Sequence, residues 1–288
     1  MYKLVKSYRD NEELRNSFNE LAEKTFGLNF ENWYQNGFWT DNYNPYSIVK
    51  DGKVIANVSV NRTDMMWNGK KKTLIQLGTV MTEESYRNQG LIRRIMEEID
   101  NEYMDKIDGM YLFGNDRVVE FYPKFGFRPS FETEYYKEVQ NNEEVSMKQI
   151  CMNKKEEWYD FQKQIENCKR FSSFEMVENS QLYMFYISQF MQENVYYSES
   201  LNAHAIAEVE GSELYIHGVI SKDDVELEKV IQAFGKQIQK VTLGFTPINK
   251  QGFISCEHKK EDCTLFLKGN VFEAFEKEGF MFQTLAHA

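Results

Sequence analysis

The sequence predicts an α+β protein, a mixed α/β architecture in which a mostly antiparallel sheet is flanked by helices, and it predicts that architecture twice. Three observations carry this. Segments of strand character joined by Asp-Gly and Asn-Gly turns form a meander in the first half. A helical stripe, a short apolar strand, a second helix and a last extended segment follow it. A similar order then returns in the second half.

The first helix is signalled by Asp10 as N-cap and Glu13 three residues on. Leu14, Phe18, Leu21, Ala22 and Phe26 continue its apolar stripe, and Gly27 closes it. The aromatic segment FENWYQNGFWTDNYNPY lacks clean periodicity and reads as a short helix and loop. From Tyr46 come the strands YSIVK, KVIANVSVN and KKTLIQLGTVM, turning at Asp51-Gly52 and Asn68-Gly69. Leu91, Ile92, Ile95, Met96, Ile99 and Tyr103 recur at helical spacing to about Lys106. A strand GMYLF, a helix DRVVEFYPKF, the pair Gly126-Phe127 and extended FETEYYKEV complete the first series.

The polar connector NNEEVSMKQ marks the expected boundary between a domain over 1–145 and another over 146–288. Beyond it, helical segments around KKEEWYDFQKQIENC and QLYMFYISQFMQ precede a hairpin of AHAIAEV and ELYIHGVI. A helix from Asp223 to Gln239, strand VTLGF, further short strands, a helix near VFEAFEKE and a last strand after Gly279-Phe280 follow. The stretch from Phe121 to Phe127 matches Ala274 to Phe280 at Lys, Gly and Phe, which supports reading the halves as copies of one architecture.

Composition narrows the function. A formal net charge of −11 argues against a general nucleic-acid binder, which needs clustered Lys and Arg to displace counterions from phosphate. MYKLVKSYRD has no signal-like apolar core, and no apolar run has bilayer length, so a cytoplasmic protein without a membrane partner is expected. The four cysteines form no C-x-x-C pair, and reduced core thiols are expected rather than a disulfide framework or zinc site. His204 and His217 stand on facing strands of the hairpin, but no third ligand accompanies them, and no metal is expected.

The local device for an anionic ligand is Thr82-Glu83-Glu84-Ser85-Tyr86-Arg87-Asn88-Gln89-Gly90-Leu91-Ile92-Arg93-Arg94, where a strand passes through a glycine loop into a helix. The first-turn amides of a helix have no partners within it, so a loop that turns them toward one cavity can hold a pyrophosphate. Neither a P-loop nor a G-x-G-x-x-G motif is present. The stretch Arg87-Asn88-Gln89-Gly90-Leu91-Ile92 resembles the acyl-CoA signature Q/R-x-x-G-x-G/A of the GCN5-related N-acetyltransferase (GNAT) family, departing from it at Ile92. Phe121-Tyr122-Pro123-Lys124-Phe125-Gly126-Phe127 resembles a second family element, F-Y-x-x-x-G-F, whose tyrosine lies near the CoA sulfur.

The resemblance covers roughly Lys3 to Val139 and implies a GNAT fold, with a second GNAT-like domain after it that has lost CoA binding, since the loop VISKDDVELEK carries no glycine and two aspartates. It implies an acyl-CoA-dependent N-acyltransferase, most simply an N-acetyltransferase moving acetyl from acetyl-CoA to a primary amine on a small molecule or peptide. Val80, Met81 and Thr82 would pair with pantetheine, Arg87, Asn88, Gln89, Gly90, Leu91, Ile92 and Arg93 would surround the pyrophosphate, and Asn115 would bond the pantetheine or its neighbouring loop. Tyr122 would protonate the departing thiolate, since a phenol stays protonated at neutral pH. The base is left between Glu83, Glu84 and a water chain, and Trp33, Phe38, Trp39 and Asp41 occupy the expected acceptor segment. The alternative is a non-catalytic acyl-CoA-binding or regulatory protein on the same fold.

Overall fold

A computed structural model describes residues 2–142, 144–152 and 154–287. The chain runs β1 (Lys3–Lys6), α1 (Glu12–Phe26), α2 (Glu31–Gln35), β2 (Tyr43–Lys50), β3 (Lys53–Trp67), β4 (Lys70–Thr82), α3 (Leu91–Tyr103), β5 (Gly109–Gly114), β6 (Arg128–Ser130) and β7 (Glu132–Glu138). It continues with β8 (Lys148–Gln149), α4 (Lys155–Glu166), β9 (Phe174–Val177), α5 (Ser180–Gln189), β10 (Val195–Ser198), β11 (Ala203–Glu210) and β12 (Glu213–Ser221). The remaining elements are α6 (Leu227–Gln232), β13 (Lys240–Leu243), β14 (Ile254–His258), β15 (Thr264–Lys268) and α7 (Phe275–Glu278).

Among the described residues the strands form two sheets with the same path. The first is ordered β1-β2-β3-β4-β5-β15-β6, with β9 added against the far end of β3; the second is ordered β8-β10-β11-β12-β13-β7-β14. In each, only the central pair is parallel, β4 with β5 and β12 with β13. The strand beside that pair comes from the other half of the chain. β15 lies antiparallel between β5 and β6, and β7 lies antiparallel between β13 and β14. The halves have thus exchanged equivalent strands, and both sheets contain residues from either side of position 145.

The exchange is driven by apolar burial. Leu265, Phe266 and Leu267 of β15 are buried in the first sheet, and Phe266 sits in the cluster that α3 closes with Leu91, Ile95, Met96 and Ile99. A larger cluster lies between the halves, where Phe18, Phe30, Trp33, Trp39 and Tyr43 meet Leu182, Phe185 and Ile187 of α5. Helix α5 is apolar on most of its surface, as a helix covered on every side must be. A third cluster packs α6 on the second sheet through Val230 and Ile231.

Local signals set most boundaries, with informative exceptions. The α1 cap is Asn11, whose side chain accepts from the Leu14 amide, one residue beyond Asp10; Gly27 closes the helix in the left-handed region at φ 70°. DRVVEFYPKF forms two short 3₁₀ turns, Asp116–Val118 and Tyr122–Phe125, because Pro123 supplies no amide. The helix expected over 223–239 shrinks to six residues. No strand follows Gly279-Phe280: Phe280 packs on Trp67 and Phe174, and Phe282 stacks on Tyr111 at 3.9 Å, so these residues are held by their side chains. The Phe121–Phe127 match therefore does not mark equivalent positions, because its first copy leads into β6 and its second follows β15.

Two expectations about side chains also change. Cys151 and Cys256 are exposed, although all four thiols are free. His204 pairs across the hairpin with Ile220, and His217 instead contacts Glu208 and Thr284, so the two imidazoles do not face each other.

Because each sheet takes an interior strand from the other half, fragments 1–145 and 146–288 expressed separately should lack cooperative unfolding and native near-ultraviolet dichroism. Mixed during refolding, they should recover both. Two independently folded fragments would contradict the exchange. Phe266→Ala should cost about 3–5 kcal/mol in chemical denaturation of the intact chain.

Candidate functional site

Strands β4 and β5 pair in parallel from Leu74–Gly109 to Leu77–Leu112 and then part. At the same level the β3–β4 ladder slips. Asn57 faces Met81 and Ser59 faces Gly78, so Thr79 and Val80 together oppose Val58 in a β-bulge. Thr79 adopts φ 40°, a left-handed conformation that costs a non-glycine residue about 1–3 kcal/mol unless its surroundings impose it.

A buried polar network imposes it. The Asn57 amide donates to the Thr79 carbonyl at 2.9 Å and to Ser59 at 3.0 Å, and the Thr79 and Ser59 hydroxyls lie 2.5 Å apart. The Tyr43 hydroxyl reaches Thr79 Oγ1 at 2.8 Å, while Ser47 and Tyr8 extend the chain of bonds away from the bulge. The bulge therefore rests on side chains with fixed partners, in an interior where an unmade hydrogen bond is costly.

The parted strands border a cavity of about 430 Å³. Gly78, Thr79 and Val80 form one edge, Phe113, Gly114 and Asn115 the other, and Tyr122 closes one side. The remaining wall is aromatic and comes from both halves, with Phe30, Trp33 and Tyr43 opposite Leu182, Phe185, Tyr186 and Phe190. Phe185 stacks on Phe30 with ring centres 5.2 Å apart, and the Trp33 indole donates to the Gln181 carbonyl at 2.9 Å.

Tyr122 is buried, and burial alone pushes its phenol up to about 12, so it remains a proton donor across neutral and moderately alkaline pH. Its ring packs on Phe127 and, at 5.2 Å, on Phe266 of the exchanged strand. Gly114 permits this placement: a Cβ there would stand 2.9 Å from the tyrosine ring.

Past Thr82 the chain makes a 3₁₀ turn, Glu84–Tyr86, and enters the loop that opens α3. Asn88 and Gly90 both have positive φ, 61° and 74°, which turns the backbone sharply into α3, whose first-turn amides have no partner within the helix and no side-chain cap. Open space surrounds Gly90, where an added Cβ would meet nothing within 4 Å. The loop is braced from outside by Tyr2, whose hydroxyl donates to Gln89 and whose carbonyl receives Arg94. Arg87 Nε reaches the Thr82 carbonyl at 3.4 Å, and Arg93 lies over the Phe125 ring. Ile92 packs on the apolar cluster beneath α3, so the departure from a small residue is absorbed by the core.

Of the residues singled out from sequence, Val80, Asn115, Tyr122 and Trp33 line the cavity. Met81 is buried in the core, and Thr82 with Arg87, Asn88, Gln89, Gly90, Leu91, Ile92 and Arg93 continues beyond the cavity edge. Glu83 is not brought to the cavity. Lys24 of α1 binds its carboxylate at 2.6 Å, and this hydrogen bond holds its pKa below the ordinary value. Phe38 packs on Tyr159, the Trp39 indole donates to the Tyr43 carbonyl, and Asp41 pairs at the surface with Arg9 at 3.0 Å. Among the described lining residues none is Asp, Glu or His. Sequence reasoning missed the α5 wall, whose signal was the near-continuous apolar run LYMFYI, unexplained by a helix with one buried face.

Residues 9–130 match the family model described as an acetyltransferase (GNAT) domain. No curated protein matches the sequence. Among solved structures, a probable N-acyltransferase from Enterococcus faecalis V583 aligns with a TM-score of 0.59 at 12% identity, covering 92% of this chain and 72% of the other. A GCN5-related N-acetyltransferase from Kribbella flavida aligns with a TM-score of 0.54 at 12% identity, covering 92% of this chain and 71% of its own. A putative acetyltransferase from Pyrococcus horikoshii aligns over 100% of this chain and 96% of its own, with a TM-score of 0.50 and 12% identity. These likenesses concern the fold, and the family match is confined to residues 9–130, which resemble an acetyltransferase (GNAT) domain.

Proposed function

We propose that the protein is an acyl-CoA-dependent N-acyltransferase that moves acetyl from acetyl-CoA directly to a primary amine. The observation that carries this reading is the single cavity shared by the bulged edge of β4 and Tyr122, at the place where β4 and β5 part. The bulge frees the β4 backbone around Val80 for a pantetheine arm lying as an added strand. The first-turn amides of α3 receive the pyrophosphate, and Arg87 and Arg93 supply local positive charge in an acidic chain. We read the second sheet as a copy of the fold that does not bind CoA: its loop Lys222–Glu226 has no glycine and carries Asp223 and Asp224.

In the reaction the neutral amine adds to the thioester carbonyl, and collapse of the tetrahedral adduct breaks the C–S bond. Tyr122 gives its proton to the sulfur, and its burial keeps that proton in place until the thiolate forms. Glu83 is held by Lys24 and is a weak base there, so the amine proton leaves through water. The aromatic wall suits an acceptor with an apolar body.

Tyr122→Phe should lower turnover on the order of a hundredfold, with acetyl-CoA affinity nearly unchanged, in a thiol-release assay over an amine panel. Because the required form is protonated and its pKa is raised, the wild-type rate should hold to at least pH 9 on its alkaline side. Gly114→Ala should also lower turnover, by displacing the ring. Asn57→Ala, which frees the Thr79 carbonyl, should weaken acetyl-CoA binding measured by calorimetry while leaving the acceptor KM nearly constant. Full activity in Tyr122→Phe would refute the assigned acid.

A further inference from the structure

The second sheet contains its own cavity, of about 300 Å³, at the position equivalent to the first. Strands β12 and β13 pair in parallel from Glu213–Lys240 to Ile216–Leu243. Beyond that point Gly218, Val219 and Ile220 border the cavity on one side and Phe245 on the other. The two cavities share no lining residue, and α5 stands between them, with Phe185 and Tyr186 facing the first and Gln181 and Tyr183 the second.

Its chemistry differs from that of the first. Glu175, on β9, is 9% exposed and lines the cavity. One carboxyl oxygen receives the Gln283 amide at 3.5 Å, while the other, Oε2, is buried without a hydrogen-bond partner. The Gln181 side-chain carbonyl is buried without a partner as well. Glu166 adds a carboxylate, which receives the Ser180 hydroxyl at 2.8 Å. With Glu175 ionised, both unmet groups are acceptors. Orphaned buried acceptors are costly, and a ligand carrying N–H donors would satisfy them.

We propose that this cavity is a second ligand site, which takes a small organic cation with several N–H donors, of ammonium or guanidinium type, on Glu175 and Gln181. A carboxylate facing a guanidinium makes charge-assisted, paired hydrogen bonds, and the Tyr183 and Phe245 rings on the wall favour a flat cation. Without the ligand, burial pushes the Glu175 carboxyl up to about 8, with Arg170 pulling it the other way, so the neutral acid is held there at pH 7. Cation binding replaces that proton: the carboxylic acid loses H⁺ to solvent and its carboxylate pairs with the cation, so charge balances.

Methylguanidinium is the suitable probe, because it remains protonated at neutral pH and is not an acyl acceptor. Calorimetry on the full chain should show one saturable site, unaffected by saturating acetyl-CoA. Glu175→Gln should weaken binding at least tenfold while unfolding at or above the wild-type temperature at pH 8, since a neutral amide replaces a carboxyl that burial disfavours ionising. Gln181→Met provides an independent variant and should weaken binding severalfold. Absence of saturable binding at millimolar probe, or unchanged binding in the folded variants, would overturn the proposal. Loss of acetyltransfer alone would not bear on it, because the probe does not enter that reaction.

Discussion

The cavity in the first sheet depends on β4 ceasing to pair with β5 beyond Leu77 and Leu112. Two parallel strands left to themselves would continue their ladder, since each unpaired backbone group in the interior costs free energy. The bulge at Thr79 and Val80 prevents this by turning β4 away, and the bulge persists because Asn57, Ser59 and Tyr43 bond Thr79 in its left-handed conformation. The backbone groups released along β4 are then available to a ligand, and the same strand delivers the chain to the glycine loop and α3. Cavity and strain have a common origin here.

The exchanged strands extend that dependence to the whole chain. Phe266 of β15 supports the Tyr122 ring, and α5 supplies one wall of the cavity, so the second half holds the first half's site in shape. The reverse holds for β7, whose Tyr135 is buried in the core of the second sheet. Reciprocal exchange also removes a free edge beside each parallel pair, which is where an open sheet is most prone to pair with other chains. The structure is thereby one folding unit assembled from two similar sheets.

Much of the first sheet was legible in sequence because local rules act strongly there. The Asp51-Gly52 and Asn68-Gly69 turns have positive φ at both residues, and the apolar spacing from Leu91 to Tyr103 yields one amphipathic helix. The glycine loop before α3 and the 3₁₀ turn at Tyr122 were legible as local structure because each sits in a short motif with a fixed element order. The partners of β7 and β15 were not, since strand pairing across more than a hundred residues leaves no trace in local periodicity. For the same reason Phe38 and Trp39 resembled an acceptor site: an aromatic run does not reveal whether its rings line a cavity or fill a core, and here Phe30, Trp33 and Tyr43 line the cavity while Phe38 and Trp39 pack in the core. Asp41 and Glu83 were drawn off by Arg9 and Lys24, cations supplied by other elements.

The two parted strand pairs have become different chemically. In the first sheet the parting leads into a glycine loop, the first turn of α3 and arginines; in the second it leads into aspartates and a six-residue helix. Acetyl-CoA titration of the intact chain, read by calorimetry and by thermal unfolding, tests this account most directly. One equivalent should bind, and free ligand at a hundred times its dissociation constant should add about 2.7 kcal/mol to stability. A folded chain that gains no stability at millimolar acetyl-CoA, or one that binds two equivalents, would contradict it.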